Sequence, residues 1–264
     1  MTAVFEDWIA RWSLVPDGAA IHTASSDLLP VVREGTPAML KVARSAEERR
    51  GASLMAWYAG GGAVRVLEFD GRALLLECAS GPRSLVEMCA RGFDDEATEI
   101  LCATVARLHA KREPQVPRDL VPLGDWFRSL NASRDPSLAR AAATARTLLA
   151  DARQPVVLHG DIHHGNVLDG GARGWLAIDP KGLYGERAFD YANIFCNPTV
   201  DIAADPRRLA RRLDLVARAA SLEPSRLVKW VIAYAGLSAA WCVEDGQDAT
   251  LPLAIVKIAA GLGS

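Results

Sequence analysis

The octapeptide His159-Gly160-Asp161-Ile162-His163-His164-Gly165-Asn166 places an amide five positions after a carboxylate, and a second carboxylate, Asp179, follows in Ile178-Asp179-Pro180. An amide oxygen and a carboxylate are hard donors suited to Mg²⁺, which keeps part of its water shell and takes its other ligands from phosphates. With Asn166 and Asp179 as the metal ligands, Asp161 is free to accept a hydroxyl proton. Asp-x-x-x-x-Asn followed by Asp is the arrangement expected for phosphoryl transfer, where the protein supplies positioning and charge neutralisation.

The histidines allow a competing drawing, in which His159, Asp161, His163, His164 and Asp179 form a metal-dependent hydrolase site. That site leaves Asn166 idle, and Lys41 as well. Lys41 is the single basic residue of the apolar strand-like run Met39-Leu40-Lys41-Val42, so its ammonium needs a partner. The phosphoryl-transfer reading gives it the nucleotide phosphates and an orienting carboxylate on the next helix, Glu48 or, alternatively, Glu47. No Gly-x-Gly-x-x-Gly covers the phosphates; Ser25, Ser26 and Asp27 stand in that turn, and the backbone N–H groups of the two serines are candidate phosphate donors. Backbone groups at Glu77 and Ala79 are candidates for an adenine edge.

Several elements must hold these residues in place. Val4, Phe5, Trp8, Ile9 and Trp12 have the spacing of an amphipathic helix over 4–12. Strand patterns at 28–32 and 38–42 flank the turn Glu34-Gly35-Thr36-Pro37, a Ser45/Glu48 capping box opens a helix that stops at Gly60-Gly61-Gly62, and two more strands cover 64–69 and 73–78. After Gly81-Pro82 the pattern turns helical, over 84–91, 94–111, 119–131, 136–152, 186–195, 204–220, 224–243 and 248–260. The expectation is an α+β protein of two lobes, a small antiparallel sheet in a nucleotide-binding lobe at 1–78 and a mainly helical lobe at 79–264 carrying the catalytic loop and acceptor site.

The helical half is interrupted by a strand at 155–158 and a hairpin, 166–169 with 175–178, around Gly171-Ala172-Arg173-Gly174. Centring that turn between Ala172 and Arg173 sets Asn166 opposite Asp179. Asp190 either braces the loop through hydrogen bonds or caps a helix.

Thirty basic and thirty-two acidic residues give a net charge of −2, which argues against a nucleic-acid partner and favours a small-molecule acceptor. The five cysteines form no Cys-x-x-Cys pair, which fits a reducing cytoplasm, and with no signal core or apolar run of about 18 residues no membrane association is expected.

Leu158 to Leu168, Gly174-Trp-Leu-Ala-Ile-Asp-Pro-Lys-Gly182 and Gly185-Glu-Arg-Ala-Phe-Asp-Tyr-Ala-Asn193 resemble the aminoglycoside phosphotransferase family of the protein-kinase-like fold. More narrowly, the chain resembles the aminoglycoside/hydroxyurea resistance kinases, which include streptomycin 6-kinases. The resemblance implies transfer of the ATP γ-phosphoryl group to an aminocyclitol hydroxyl, foremost the 6-hydroxyl of streptomycin, conferring antibiotic resistance. It implies Asp161 as base, Asn166 and Asp179 on Mg²⁺, and Lys41 on the phosphates. Glu186, Trp241, Glu244 and Asp245 are candidates for a polycationic acceptor, which favours carboxylates and flat apolar surface. The alternatives are a kinase of the same fold acting on another small hydroxylated metabolite, and a nucleotide-binding pseudokinase, the latter motivated by the missing glycine-rich loop.

Overall fold

A computed structural model of the chain describes residues 4–113 and 115–262. The turn at Glu34-Gly35 has φ of 50° and 77°, the doubly left-handed geometry whose twist matches a two-residue hairpin, and it pairs Ser26–Arg33 with Thr36–Ala43. Around this hairpin the strands run in the order Val15–Pro16, Ser26–Arg33, Thr36–Ala43, Ala73–Glu77, Val66–Phe69, all antiparallel, with Ile21–His22 added to Ser26–Arg33.

Alternation along the strands sorts the two faces. Leu40 and Val42, with Leu29, Val31 and Leu75, pack under the amphipathic N-terminal helix Glu6–Arg11 and its neighbours Phe5, Trp12 and Leu14. Met39 and Lys41 therefore face the other way, toward the helix Ala46–Tyr58 and the rest of the chain.

That helix starts as its capping signal requires, Glu48 N–H donating to Ser45 Oγ at 3.1 Å. The Glu48 carboxylate turns to Lys41 at 2.6 Å. Its buried face approaches the loop after Asp179 so closely that a Cβ on Gly51 would lie 2.2 Å from the Pro180 carbonyl oxygen. Ala52, Met55 and Tyr58 continue that face into one apolar cluster that also contains Phe127, Phe189, Trp230 and Tyr234 of the helical half. The sheet-bearing front and helical back expected from sequence thus share a continuous core.

The back is built around Pro224–Glu244, which packs on Ala139–Ala150 and Thr250–Leu262. This helix is long and apolar enough to cross a membrane, but 67% of its most apolar window is buried within the protein, as befits a core helix.

Three expectations shift. The helix expected at 119–131 is a short strand, Val121–Pro122, followed by Leu123–Trp126 and Arg128–Ala132; proline excludes the preceding residue from helical geometry, and Val121 pairs with Leu183 instead. The helix expected at 186–195 starts at Phe189, because Leu183–Glu186 pairs with Pro155–Leu158. The hairpin turn is a 3₁₀ turn, Gly171–Arg173, centred on Ala172, so Leu168 opposes Leu176 and Ile178 N–H donates to the Asn166 carbonyl at 2.9 Å. Asn166 is therefore across from Ile178, and Asp179 lies one residue further on.

The segment between the halves is fastened to this hairpin. Gly81 N–H donates to the Asp169 carbonyl at 2.8 Å, and Arg83 Nε to the Asp169 carboxylate at 2.8 Å, while the Arg83 guanidinium lies 4.9 Å from the Trp175 ring centroid. The Arg83 hydrogen bond is the main cause holding the Asp169 carboxyl down at about 2. On the front side, Val64 N–H donates to Ala177 O and Ala177 N–H to Gly62 O.

Gly51→Ala should cost roughly 1–3 kcal/mol of unfolding free energy, read by chemical denaturation, even though alanine is the better helix former. An unchanged or more stable variant would contradict the close approach of this helix to Pro180.

Candidate active site

Asp161 is the most closely held side chain of the loop. Asn193 Nδ2 donates to its Oδ1 at 2.9 Å and Asn166 Nδ2 to its Oδ2 at 3.1 Å, so an amide fixes each carboxylate oxygen. The orientation of both amides is determined. Asn197 Nδ2 donates to Asn193 Oδ1 at 2.9 Å, which leaves the Asn193 amino group for Asp161. Asn166 Nδ2 also donates to the Asp161 carbonyl at 3.0 Å, which turns Asn166 Oδ1 outward as a free acceptor.

The backbone beneath is set by two buried residues. The Asp190 carboxylate accepts from His159 N–H at 2.9 Å and Gly160 N–H at 2.8 Å, and from His109 Nε2 at 2.8 Å. The loop-bracing alternative for Asp190 is the observed one. His159 Nδ1 accepts Asp161 N–H at 3.2 Å and its Nε2 donates to Ile178 O at 2.9 Å, a pattern that requires the neutral Nε2–H tautomer. Burial holds the His159 pKa below its ordinary value, in agreement with that neutral ring. His159 thus ties the Asp161 loop to the residue before Asp179.

Asp179 has φ of +64°, which breaks the strand alternation and lets the chain turn out of the hairpin. Its carboxylate pairs with Lys41. Burial pushes the Asp179 carboxyl up, but Lys41, with Lys181 behind it, outweighs burial and holds it below the usual carboxylate range. Lys41 is thus shared between Glu48 and Asp179, which selects Glu48 over Glu47 as its helix partner. Glu47 pairs instead with Lys181, at 3.2 Å.

Two clefts meet here. A cleft of about 960 Å³ runs under the sheet, apolar along Met39, Val64, Leu74 and Leu76, with Lys41, Glu48 and Asp179 at its inner end and Glu77 and Ala79 at its edge. A second, more polar cleft of about 1700 Å³ has Asp161, Gly160 and Lys181 at its floor and Asp125, Trp126 and Trp241 along its walls. The two indole rings are 5.5 Å apart, edge to face.

The sequence profile of the aminoglycoside/hydroxyurea antibiotic resistance kinases matches residues 11–246. The chain belongs to this family. It is similar to streptomycin 3''-kinase from Klebsiella pneumoniae, 50% identical over 252 residues that span 93% of this chain and 94% of that one. It is also similar to streptomycin 6-kinase from Streptomyces glaucescens, 34% identical over 97% of this chain and 87% of the relative, and to hydroxyurea phosphotransferase from Kitasatospora aureofaciens, 35% identical over 96% and 76%. Among solved structures, aminoglycoside phosphotransferase APH(4)-Ia superimposes over 98% of this chain and 99% of its own with a TM-score of 0.70 at 16% identity, which shows the protein-kinase-like fold. This resistance kinase is therefore a phosphotransferase with an alcohol group as acceptor.

Lys41, Glu48, Asp161, Asn166 and Asp179 converge in the kinase as the sequence suggested, despite the slipped hairpin register. Other expected residues do not. Ser26 spends its N–H on Thr23 Oγ1 at 3.0 Å, and neither Ser26 nor Ser25 lines the apolar cleft. Beside them the buried Asp27 is held by Arg44 Nε at 2.7 Å and His22 Nδ1 at 2.5 Å, which makes this turn a closed polar staple.

Glu186 is buried and fully engaged by Arg226, by Trp230 Nε1 at 2.8 Å and by Arg153 N–H at 3.0 Å, so it is a packing residue away from the second cleft. Glu244 and Asp245 are exposed at the end of the helix and do not line that cleft; Trp241, one turn earlier, does. The Glu77 backbone N–H, expected to be open to an adenine edge, donates to the Arg65 carbonyl at 3.0 Å, and its carboxylate is taken by Arg173 and Arg65 N–H, although Glu77 and Ala79 border the apolar cleft.

The histidines do not assemble a hydrolase. His163 Nδ1 accepts Gly165 N–H at 3.0 Å, and His164 is buried beside Cys89 and Asp94, where burial pushes its pKa down to about 3. Sequence reasoning passed over Asn193, Lys181, Asp125 and Trp126. Asn193 was visible as the last residue of the third motif segment, and Lys181 as the one cation following Asp179-Pro180.

Lys41→Met strands the buried Glu48 carboxylate without its nearest cation and should cost roughly 3 kcal/mol in chemical denaturation. Adding Glu48→Leu to that variant should restore most of the loss. Equal stability of wild type and Lys41→Met would contradict the pairing.

Proposed function

We propose that this kinase transfers the γ-phosphoryl group of Mg-ATP to a hydroxyl of streptomycin or a closely related aminocyclitol, with Asp161 as the general base. The observation that carries the reading is the position of Asp161. It lines the polar cleft with both oxygens held by amides, and Asn166, which holds one of them, accepts through its carbonyl from Ile178 N–H, the residue before Asp179 of the Lys41 cleft.

The adenine fits the apolar walls of the first cleft, with the Glu77–Ala79 segment at its edge, and the phosphates extend toward Lys41. Asn166 Oδ1 and the Asp179 carboxylate are the hard oxygen donors that would hold Mg²⁺. When bound, the ion would neutralise charge on the nucleotide phosphates. Lys41, which pairs with Glu48 and Asp179 in this cleft, would supply its charge to the nucleotide phosphates. The acceptor hydroxyl lies against Asp161. Its oxygen forms the new bond to the γ-phosphorus as the bond to the bridging oxygen of ADP breaks, and its proton passes to the Asp161 carboxylate and on to solvent.

The second cleft suits a polycation with a hydroxylated ring. Asp125 offers a carboxylate, Trp126 and Trp241 offer flat faces, and Trp126 Nε1 is buried with no acceptor among the described residues. Phosphorylation adds about −1.5 to −2 of charge to a drug that binds through its cations, which accounts for resistance. The acceptor position follows the 6-hydroxyl reading, supported by two Streptomyces relatives that are streptomycin 6-kinases at 34% and 33% identity. The 50% identical relative favours the 3''-hydroxyl as the second reading.

Purified protein with ATP, Mg²⁺ and streptomycin should give a product heavier by one phosphoryl group, and phosphorus–proton correlation NMR should place it on the 6-hydroxyl. A correlation to the 3''-proton would replace the position. No transfer to streptomycin, related aminocyclitols or hydroxyurea would overturn the acceptor class.

A further inference from the structure

The Glu48 carboxylate touches two lysines. Its Oε2 is 2.6 Å from Lys41 Nζ, on the apolar-cleft side, and its Oε1 is 3.9 Å from Lys181 Nζ, on the polar-cleft side. Glu47 completes the row at 3.2 Å from Lys181. The two ammonium groups therefore flank the place where the clefts meet, and Lys181 shares its cleft floor with Asp161.

Lys181 is held there by its backbone. Its N–H donates to the His159 carbonyl at 2.7 Å, its carbonyl accepts from Arg50 Nε at 2.9 Å, and Gly182 after it has φ of +71° with the Arg50 side chain filling the space a Cβ would need.

Building on the phosphoryl-transfer reading, we infer that Lys181 is a second phosphate-contacting catalytic lysine, which meets the transferred phosphoryl group on the acceptor side as Lys41 meets the nucleotide on the other. During transfer, negative charge spreads over the three equatorial oxygens of the phosphoryl group as it crosses between the clefts. An ammonium preset beside Asp161 neutralises that charge without reorganising at the moment of reaction. Glu47 and Glu48 hold Lys181 until then, and Glu48 couples its position to that of Lys41.

The test compares wild type, Lys181→Met and Lys181→Arg for acceptor phosphorylation, for ATP hydrolysis without acceptor, and for Mg-ATP affinity by calorimetry. Lys181→Met should lose roughly 10²- to 10³-fold in kcat, with the Mg-ATP Kd within about threefold, and Lys181→Arg should recover most of the loss. A near-wild-type kcat in Lys181→Met would overturn the inference. So would weakened Mg-ATP binding at unchanged kcat, since that marks a lysine that only positions Glu47 and Glu48. If wild type fails to phosphorylate streptomycin yet hydrolyses ATP, the acceptor reading fails alone and Lys181 is judged on hydrolysis. Absence of any ATP turnover by wild type would overturn both.

Discussion

The Lys41 ammonium, shared between Glu48 of a helix and Asp179 of a distant loop, joins three segments at one point. The buried Glu48 carboxylate would be costly on its own, and the cation beside it offsets that cost. The surrounding geometry serves the same contact. Lys41 faces the cleft because strand alternation places Leu40 and Val42 in the core under the N-terminal helix, Glu48 is offered by a helix fixed at Ser45, and the absent side chain of Gly51 lets that helix reach the Asp179–Pro180 turn.

The reacting carboxylate depends on a separate buried network. Asp190 fixes the backbone before Asp161, His159 bridges to the residue before Asp179, and two asparagines hold the oxygens of Asp161. Asp190 and His159 bind the loop backbone from buried positions and the two asparagines bind the Asp161 carboxylate side chain to side chain, which together give the loop the precision of a rigid element. Buried networks of this kind depend on each member having its partner.

Much of this was legible in the chain itself. Asp161, Asn166, Asp179 and Lys41 are marked by residue type and spacing, and the strand and helix patterns that carry them have strong local signals. The hairpin register was missed by one residue, because Gly170-Gly171-Ala172-Arg173-Gly174 accommodates either an even or an odd turn, and the 3₁₀ geometry that decides it is not a property of any single residue. Glu186 illustrates another limit. A glutamate near a catalytic motif looks available, but Arg226 and Trp230, forty or more positions away, bury it. Lys181 and Asn193 were visible as letters; their meaning arises only when the fold brings Glu47, Glu48 and Asp161 to them.

The central claim is that Asp161 accepts the acceptor proton while the lysine and metal-ligand set holds the nucleotide. Single-turnover transfer by Asp161→Asn, with pre-bound Mg-ATP and saturating streptomycin, tests it most directly. Transfer should slow by roughly 10²- to 10⁴-fold while Mg-ATP affinity is unchanged. Transfer at the wild-type rate would remove Asp161 from the chemistry and contradict the account.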